Sequence, residues 1–180
     1  MRQFRGNLQH AARTWVQPAQ RIVPSFGYYC GRMTIRLQTA KGREIPNIQE
    51  SEVSIFERNY AETLRRPDRE LRTDVSPAYN CHGLTFASRR TSLQPDVLQT
   101  ILDDDRYGAI DIRDARAGDI IVYYSDDGDA THSGIVIESG GTPPVPKIVS
   151  KWGKGPEFIH RYSDVPPIYG TNHRFYRCRL

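Results

Sequence analysis

Two short stretches of the chain hold residues able to make or break covalent bonds: Asn80-Cys81-His82-Gly83 and, further along, Thr131-His132-Ser133-Gly134. A cysteine at the first position of a helix, with Asn80 as N-cap, would lie beside unpaired backbone N–H groups and the positive end of the peptide dipoles. That environment favours thiolate over thiol. A thiolate also needs a group to hold its proton, and His132 opens a strand-like run directly after a loop, where an imidazole can do so near neutral pH. Together they would form an activated nucleophile and its base. Each residue alone has a plainer reading, since free cysteine is among the most buried residue types and one histidine on a strand says little.

Other chemistries find less support. A metal site would have to draw on Cys81, His82, His132 and either His160 or His173, and no C-x-x-C or H-x-x-x-H spacing connects them. No G-x-S-x-G elbow exists for a serine nucleophile, and no G-x-x-x-x-G-K loop for phosphates. The acidic loop S-D-D-G-D-A-T lacks the glycine and glutamate spacing of an EF-hand. Neither a metal nor a cofactor is expected.

Positioning the pair requires helices first and strands after. Residues 51–66 repeat apolar side chains at Val53, Phe56, Tyr60 and Leu64, the spacing of one helix face, and Pro67 ends the run. Residues 81–88 continue from the Asn80 cap, with Leu84, Phe86 and Ala87 available for burial. A further short helix starts near Pro95, turns Val97, Leu98, Ile101 and Leu102 inward and stops by Gly108. Residues 33–38 alternate as a strand. Beyond Gly118 the period changes, and strands are expected over residues 120–124, 132–138, 147–152, 158–162 and 174–179, the first two joined as a hairpin. The expected class is α+β, with N-terminal helices packed on an antiparallel sheet of about five strands.

With 180 residues, 38% hydrophobic and 26% charged, the composition is that of one globular unit, and no apolar run approaches the roughly 18 residues of a spanning helix. Eight Arg or Lys precede the first acid, Glu44. Residues 1–32 are therefore read as a basic N-terminal extension, partly ordered, ahead of a single domain over 33–180. No secretory signal is recognised, so the default compartment is the cytoplasm. Cys30, Cys81 and Cys178 cannot form an even disulfide framework; a Cys30–Cys178 bridge would leave Cys81 free.

The order of the motifs carries more than any one of them. Y-N-C-H-G-L at 79–84, A-G-D-I-I-V-Y-Y at 117–124, T-H-S-G-I-V-I at 131–137, S-K-W-G at 150–153, a histidine at 160 and Y-G at 169–170 together resemble the NlpC/P60 and CHAP cysteine peptidases of the papain-like superfamily. The resemblance covers residues 78–180. It implies a papain-like fold, Cys81 as nucleophile, His132 as base, and the Cys81 backbone N–H in an oxyanion hole. Tyr79, His82 and Trp152 would lie on the substrate side. The chain departs from the family's D-C-S-G at two positions, Asn80 and His82. It also lacks the histidine that often orients the base from the next strand; Ser150 and His160 stand as candidates, with Glu157 beside them. Lys151 would repel an imidazolium unless it faces elsewhere.

The implied activity is hydrolysis of an amide bond, as in a peptide or a peptidoglycan-like substrate, through an acyl-enzyme on Cys81. The same machinery could pass the acyl group to an amine, as an acyltransferase or transamidase. A third reading is a catalytically silent binding domain whose basic arm meets an anionic partner. A toxin or effector of this kind would have an immunity or delivery protein; nucleic acid is not an expected partner.

Overall fold

The computed structural model describes residues 32–179. The basic extension up to residue 31 and any bridge to Cys30 lie outside those residues. Strand β1 (Arg32–Met33) pairs with β2 (Gln49–Glu50), and helix α1 (Ile55–Thr63) follows. Then come β3 (Glu70–Thr73), α2 (Cys81–Phe86), a 3-10 turn (Pro95–Val97) running into α3 (Leu98–Asp104), and β4 (Tyr107–Ile110). Strands β5 (Ile120–Tyr124), β6 (Ala130–Glu138), β7 (Lys147–Lys151), β8 (Glu157–Arg161) and β9 (Asn172–Cys178) complete the order. The last seven strands form one antiparallel sheet in the order β3-β8-β7-β6-β5-β9-β4. No helix among the described residues is long and apolar enough to cross a membrane.

The α+β class is what the sequence predicts, but the sheet has seven strands instead of about five. The two additional strands, β3 and β4, are its edges. Short edge strands need no buried alternating pattern, so nothing in E-L-R-T or Y-G-A-I announces them. Conversely, residues 33–38 supply only the end of β1, because the chain there is held by side chains instead of a ladder. Asn47 Oδ1 accepts from the Ile35 amide at 3.0 Å, and Asp104 accepts from Thr39 Oγ1 at 2.9 Å.

The pleat sorts the sheet's side chains into two layers. On one face Ile120, Val122 and Tyr176 pack with Leu93, Val97, Leu98, Ile101 and Leu102 of the α3 region, while Ile135 and Val149 pack with Tyr79 and Leu84 of the α2 region. On the other, Ile121, Tyr123, Val136, Ile148 and Phe175 meet Ile112, Ala115, Tyr162 and Val165 from the connections around β4 and β9. Helix α2 therefore lies on one face only.

Helix α1 corrects a second expectation. Its start is fixed by a capping box, Ser54 to Glu57, in which the Glu57 amide donates to Ser54 Oγ and the Ser54 amide donates to Glu57 Oε2. Its expected apolar face is not buried: Phe56 is 77% and Tyr60 53% exposed, and Ala61 is the buried residue of the helix.

Candidate active site

Helix α2 begins at Cys81 because Asn80 caps it. Asn80 Oδ1 accepts the Gly83 amide at 2.9 Å and the Leu93 amide at 3.1 Å, while its Nδ2 donates to the Leu93 carbonyl at 2.8 Å. The helix start is thus pinned to the loop before α3. Gly83 is required by packing, since a Cβ there would collide with the Thr91 carbonyl oxygen. Gly134 plays the same part on β6, where a Cβ would come within 2.5 Å of Ile148 Cγ2.

The Gly83 amide being spent on the cap, the amides of Cys81 and His82 remain directed at the Cys81 sulfur, joined by the amide of Ser133 on β6. These three donors, with the more distant Lys151, pull the thiol pKa down. Burial acts the other way and wins: Cys81 is 6% exposed, and its thiol is pushed up to about 11. The lowered value expected from the helix terminus is therefore not found, because a helix of six residues offers a weak field and the sulfur is buried.

His132 is paired with Tyr123 across β5 and β6 and shares its face, opposite to that of Ser133. Its ring stacks on Tyr169, centroids 4.0 Å apart and planes 17° from parallel, with Tyr123 at 5.5 Å. It is fully buried, and neither ring nitrogen has a hydrogen-bond partner. Burial, then the nearby His82 and His160, holds its pKa well below the usual imidazole value. No hydrogen bond joins Cys81 to His132. The two are linked through Ser133, which follows His132 in the chain and whose amide lowers the thiol pKa, and through Tyr169, whose phenol is pushed up by burial and by the neighbouring Cys81.

The candidate orienting residues are committed to one another. His160 Nδ1–H donates to the Arg161 carbonyl at 2.7 Å, so its Nε2 must accept from the Ser150 hydroxyl, also at 2.7 Å; Trp152 Nε1–H completes the set by donating to Ser150 Oγ at 3.0 Å. Ser150 and His160 lie on the same face as His132, but neither bonds to its ring.

The three residues assigned to the substrate side are buried and offer it no surface. Tyr79 donates its hydroxyl to Glu157 at 2.7 Å. His82, pushed down to about 4 by burial, sits at the head of a directional chain: its Nδ1–H donates to Ser133 Oγ (2.9 Å), the Ser133 hydroxyl to Thr85 Oγ1 (3.0 Å), and the Thr85 hydroxyl to the Cys81 carbonyl (3.0 Å). The side chain that draws the eye beside the cysteine is thus a hook between α2 and β6. Trp152 is a core anchor, with the Arg69 guanidinium 4.4 Å above its ring.

Asp119 of A-G-D is structural too. It accepts two bonds from Arg177, at 2.8 and 2.7 Å, and one from the Arg116 amide at 2.7 Å. Burial raises its pKa, but Arg177 and that amide outweigh it and leave the carboxyl below its usual range. The residues that sequence reasoning passed over are Ser133 and Tyr169, whose motif letters were visible without their contacts. Lys151 and Glu157 stand in sequence as neighbours of the His132 strand, and the pleat places both on the Cys81 face.

Among the described residues, no group of three or more His, Cys, Asp or Glu side chains is arranged to hold a metal ion. Comparison with known proteins gave no matching family model, and no significant match among curated proteins or solved structures.

Proposed function

We propose that the protein is a thiol-dependent amide hydrolase, with Cys81 as nucleophile and His132 as base. One observation carries this reading. His132 is fully buried with two unpartnered ring nitrogens, and it adjoins Ser133, whose amide favours the Cys81 thiolate. Leaving a buried polar atom unsatisfied costs about 1–3 kcal/mol, so an imidazole kept in that state calls for a use.

In the reaction, His132 takes the Sγ proton as sulfur attacks the amide carbon, and the oxyanion meets the amides of Cys81 and His82. The C–N bond then breaks as the amine takes the proton from His132. Water gives His132 a proton and its hydroxide cleaves the thioester, releasing the acid and restoring the thiol. Replacing water by an amine would give transamidation with the same residues. The closed arrangement is a resting form: His132 lies on the face of β6 opposite α2, so the end of β6 must turn over as the Tyr169 ring leaves before the base can reach the sulfur.

A second reading, a catalytically silent binding domain, is favoured by the sealed thiol at about 11 and the missing sulfur–imidazole bond. Labelling with a small electrophile at neutral pH separates the two. The hydrolase reading expects Cys81→Ala to abolish labelling at that site and His132→Ala to slow it by 10²-fold or more. Equal rates for wild type and His132→Ala establish the silent domain.

A further inference from the structure

We propose that the Lys151 ammonium is the electrostatic partner of the Cys81 thiolate, acting on the reaction through the sulfur; this rests on the hydrolase reading above.

Four observations carry the assignment. Lys151 alternates with Ser150 along β7 and therefore shares its face with Val149, which packs against Tyr79 and Leu84 beneath α2. It is fully buried, with Nζ 4.7 Å from the centre of the Tyr79 ring, two residues before Cys81, and donating to the Gly155 carbonyl. The β6–β7 ladder ends at the Gly134–Ser150 pair, and the same register continued one step sets Lys151 towards Ser133, whose amide favours the Cys81 thiolate. Finally, the carboxylate opposite Lys151 on β8, Glu157, is occupied by others. It accepts from Tyr79 at 2.7 Å and from Arg89 at 2.7 and 3.1 Å, with Arg72 at 3.8 Å.

Among the described residues, no carboxylate lies within ion-pair distance, 4.0 Å, of Lys151 Nζ. A buried ammonium with three N–H bonds is therefore held by one carbonyl and one ring face. The groups facing it are Tyr79 and Cys81 from the α2 side and Glu157 from β8, with Arg72 and Arg89 behind Glu157. Of these, the thiol is the group that can gain a negative charge without giving up an existing bond. Each of the two favours the charged form of the other, while burial brings Lys151 down to about 8. The partnership consequently operates below about pH 8, where Lys151 keeps its proton, and fades above it.

The test is the rate of iodoacetamide alkylation against pH in the full chain, with Cys30→Ser and Cys178→Ser so that Cys81 alone reports. Lys151→Met, similar in volume and uncharged, should alkylate about tenfold more slowly at pH 7 to 7.5 and converge on the parent above pH 9. Lys151→Arg, charged throughout, should keep the fast rate at low pH and hold it beyond pH 8. Superimposed profiles for the parent and Lys151→Met overturn the assignment, as does a difference equal at every pH, which a merely structural residue would give. His132→Ala in the same background keeps the two readings apart. If it slows alkylation while Lys151→Met does not, the hydrolase reading stands and the role of Lys151 falls. If His132→Ala has no effect, the hydrolase reading itself falls.

Discussion

The two faces of the sheet treat buried polar groups in opposite ways. Beneath α2, the polar side chains form a network: His82, Ser133 and Thr85 pass hydrogen bonds to the Cys81 carbonyl, and Tyr79 and Arg89 converge on Glu157. On the other face Ser150, His160 and Trp152 satisfy one another, but His132 lies between Tyr123 and Tyr169 with nothing to bond. The first arrangement fixes a helix rigidly to a strand. The second leaves one titratable ring unsatisfied and covered only by a short turn, Pro167–Tyr169. Rigidity surrounds the thiol and incompleteness surrounds the imidazole, so any motion that assembles the pair belongs to the His132 side.

Breaking the networked face should be the most damaging change. Glu157→Ala strands Arg89 and leaves Tyr79 without an acceptor, and a loss of about 3–5 kcal/mol is expected in urea unfolding. A loss below about 1 kcal/mol would show that the network is ornamental.

Acid sharpens the comparison next. His82 is buried neutral with its pKa down at about 4, so between there and the ordinary value near 6.5 the unfolded chain binds a proton that the folded one refuses. Stability is thus complete above pH 6.5 and lost as pH falls towards 4, by roughly 3 kcal/mol from this residue. A urea midpoint that stays level across that window contradicts the burial of His82 as a neutral hook; His132 and His160, lowered in the same direction, would add to the fall.

A packing change on α2 comes third. Gly83→Ala should cost about 1–3 kcal/mol, because the added methyl meets the Thr91 carbonyl and the helix start cannot yield. Differential scanning calorimetry would register it as a lower Tm, and an unchanged Tm would mean that α2 can move away from its loop. Smallest in energy is Tyr169→Leu, about 0.5–1.5 kcal/mol for a lost aromatic stack. It should nonetheless raise the alkylation rate of Cys81, and a slower rate would make Tyr169 a participant instead of a cover.

The central strands were legible because they alternate or run apolar over five residues, as in I-I-V-Y-Y, and α3 because Val97, Leu98, Ile101 and Leu102 all point one way. The face of α1 was misread since spacing alone cannot say whether a partner exists. In the site, the types and order of Cys81 and His132 could be read, but their faces could not. A strand's parity is set by register, so a one-residue step decides whether His132 or Ser133 meets the helix. Next to His132, Lys151 would repel an imidazolium, and the pleat answers this by turning the lysine side chain to the opposite face.

The position of β9 bears on how the sheet comes together. It lies between β5 and β4, so Tyr107 to Ile110 have no ladder partner until Phe175 to Cys178 have been made and delivered. Strands β5 to β8 can zip as successive neighbours beforehand, leaving β5 with one open edge. Closing it is a long-range step, slower than the local pairings and exposed to wrong partners while it waits. A chain cut before β9 would keep every residue of the proposed chemistry and lose the strand that seals the sheet around it.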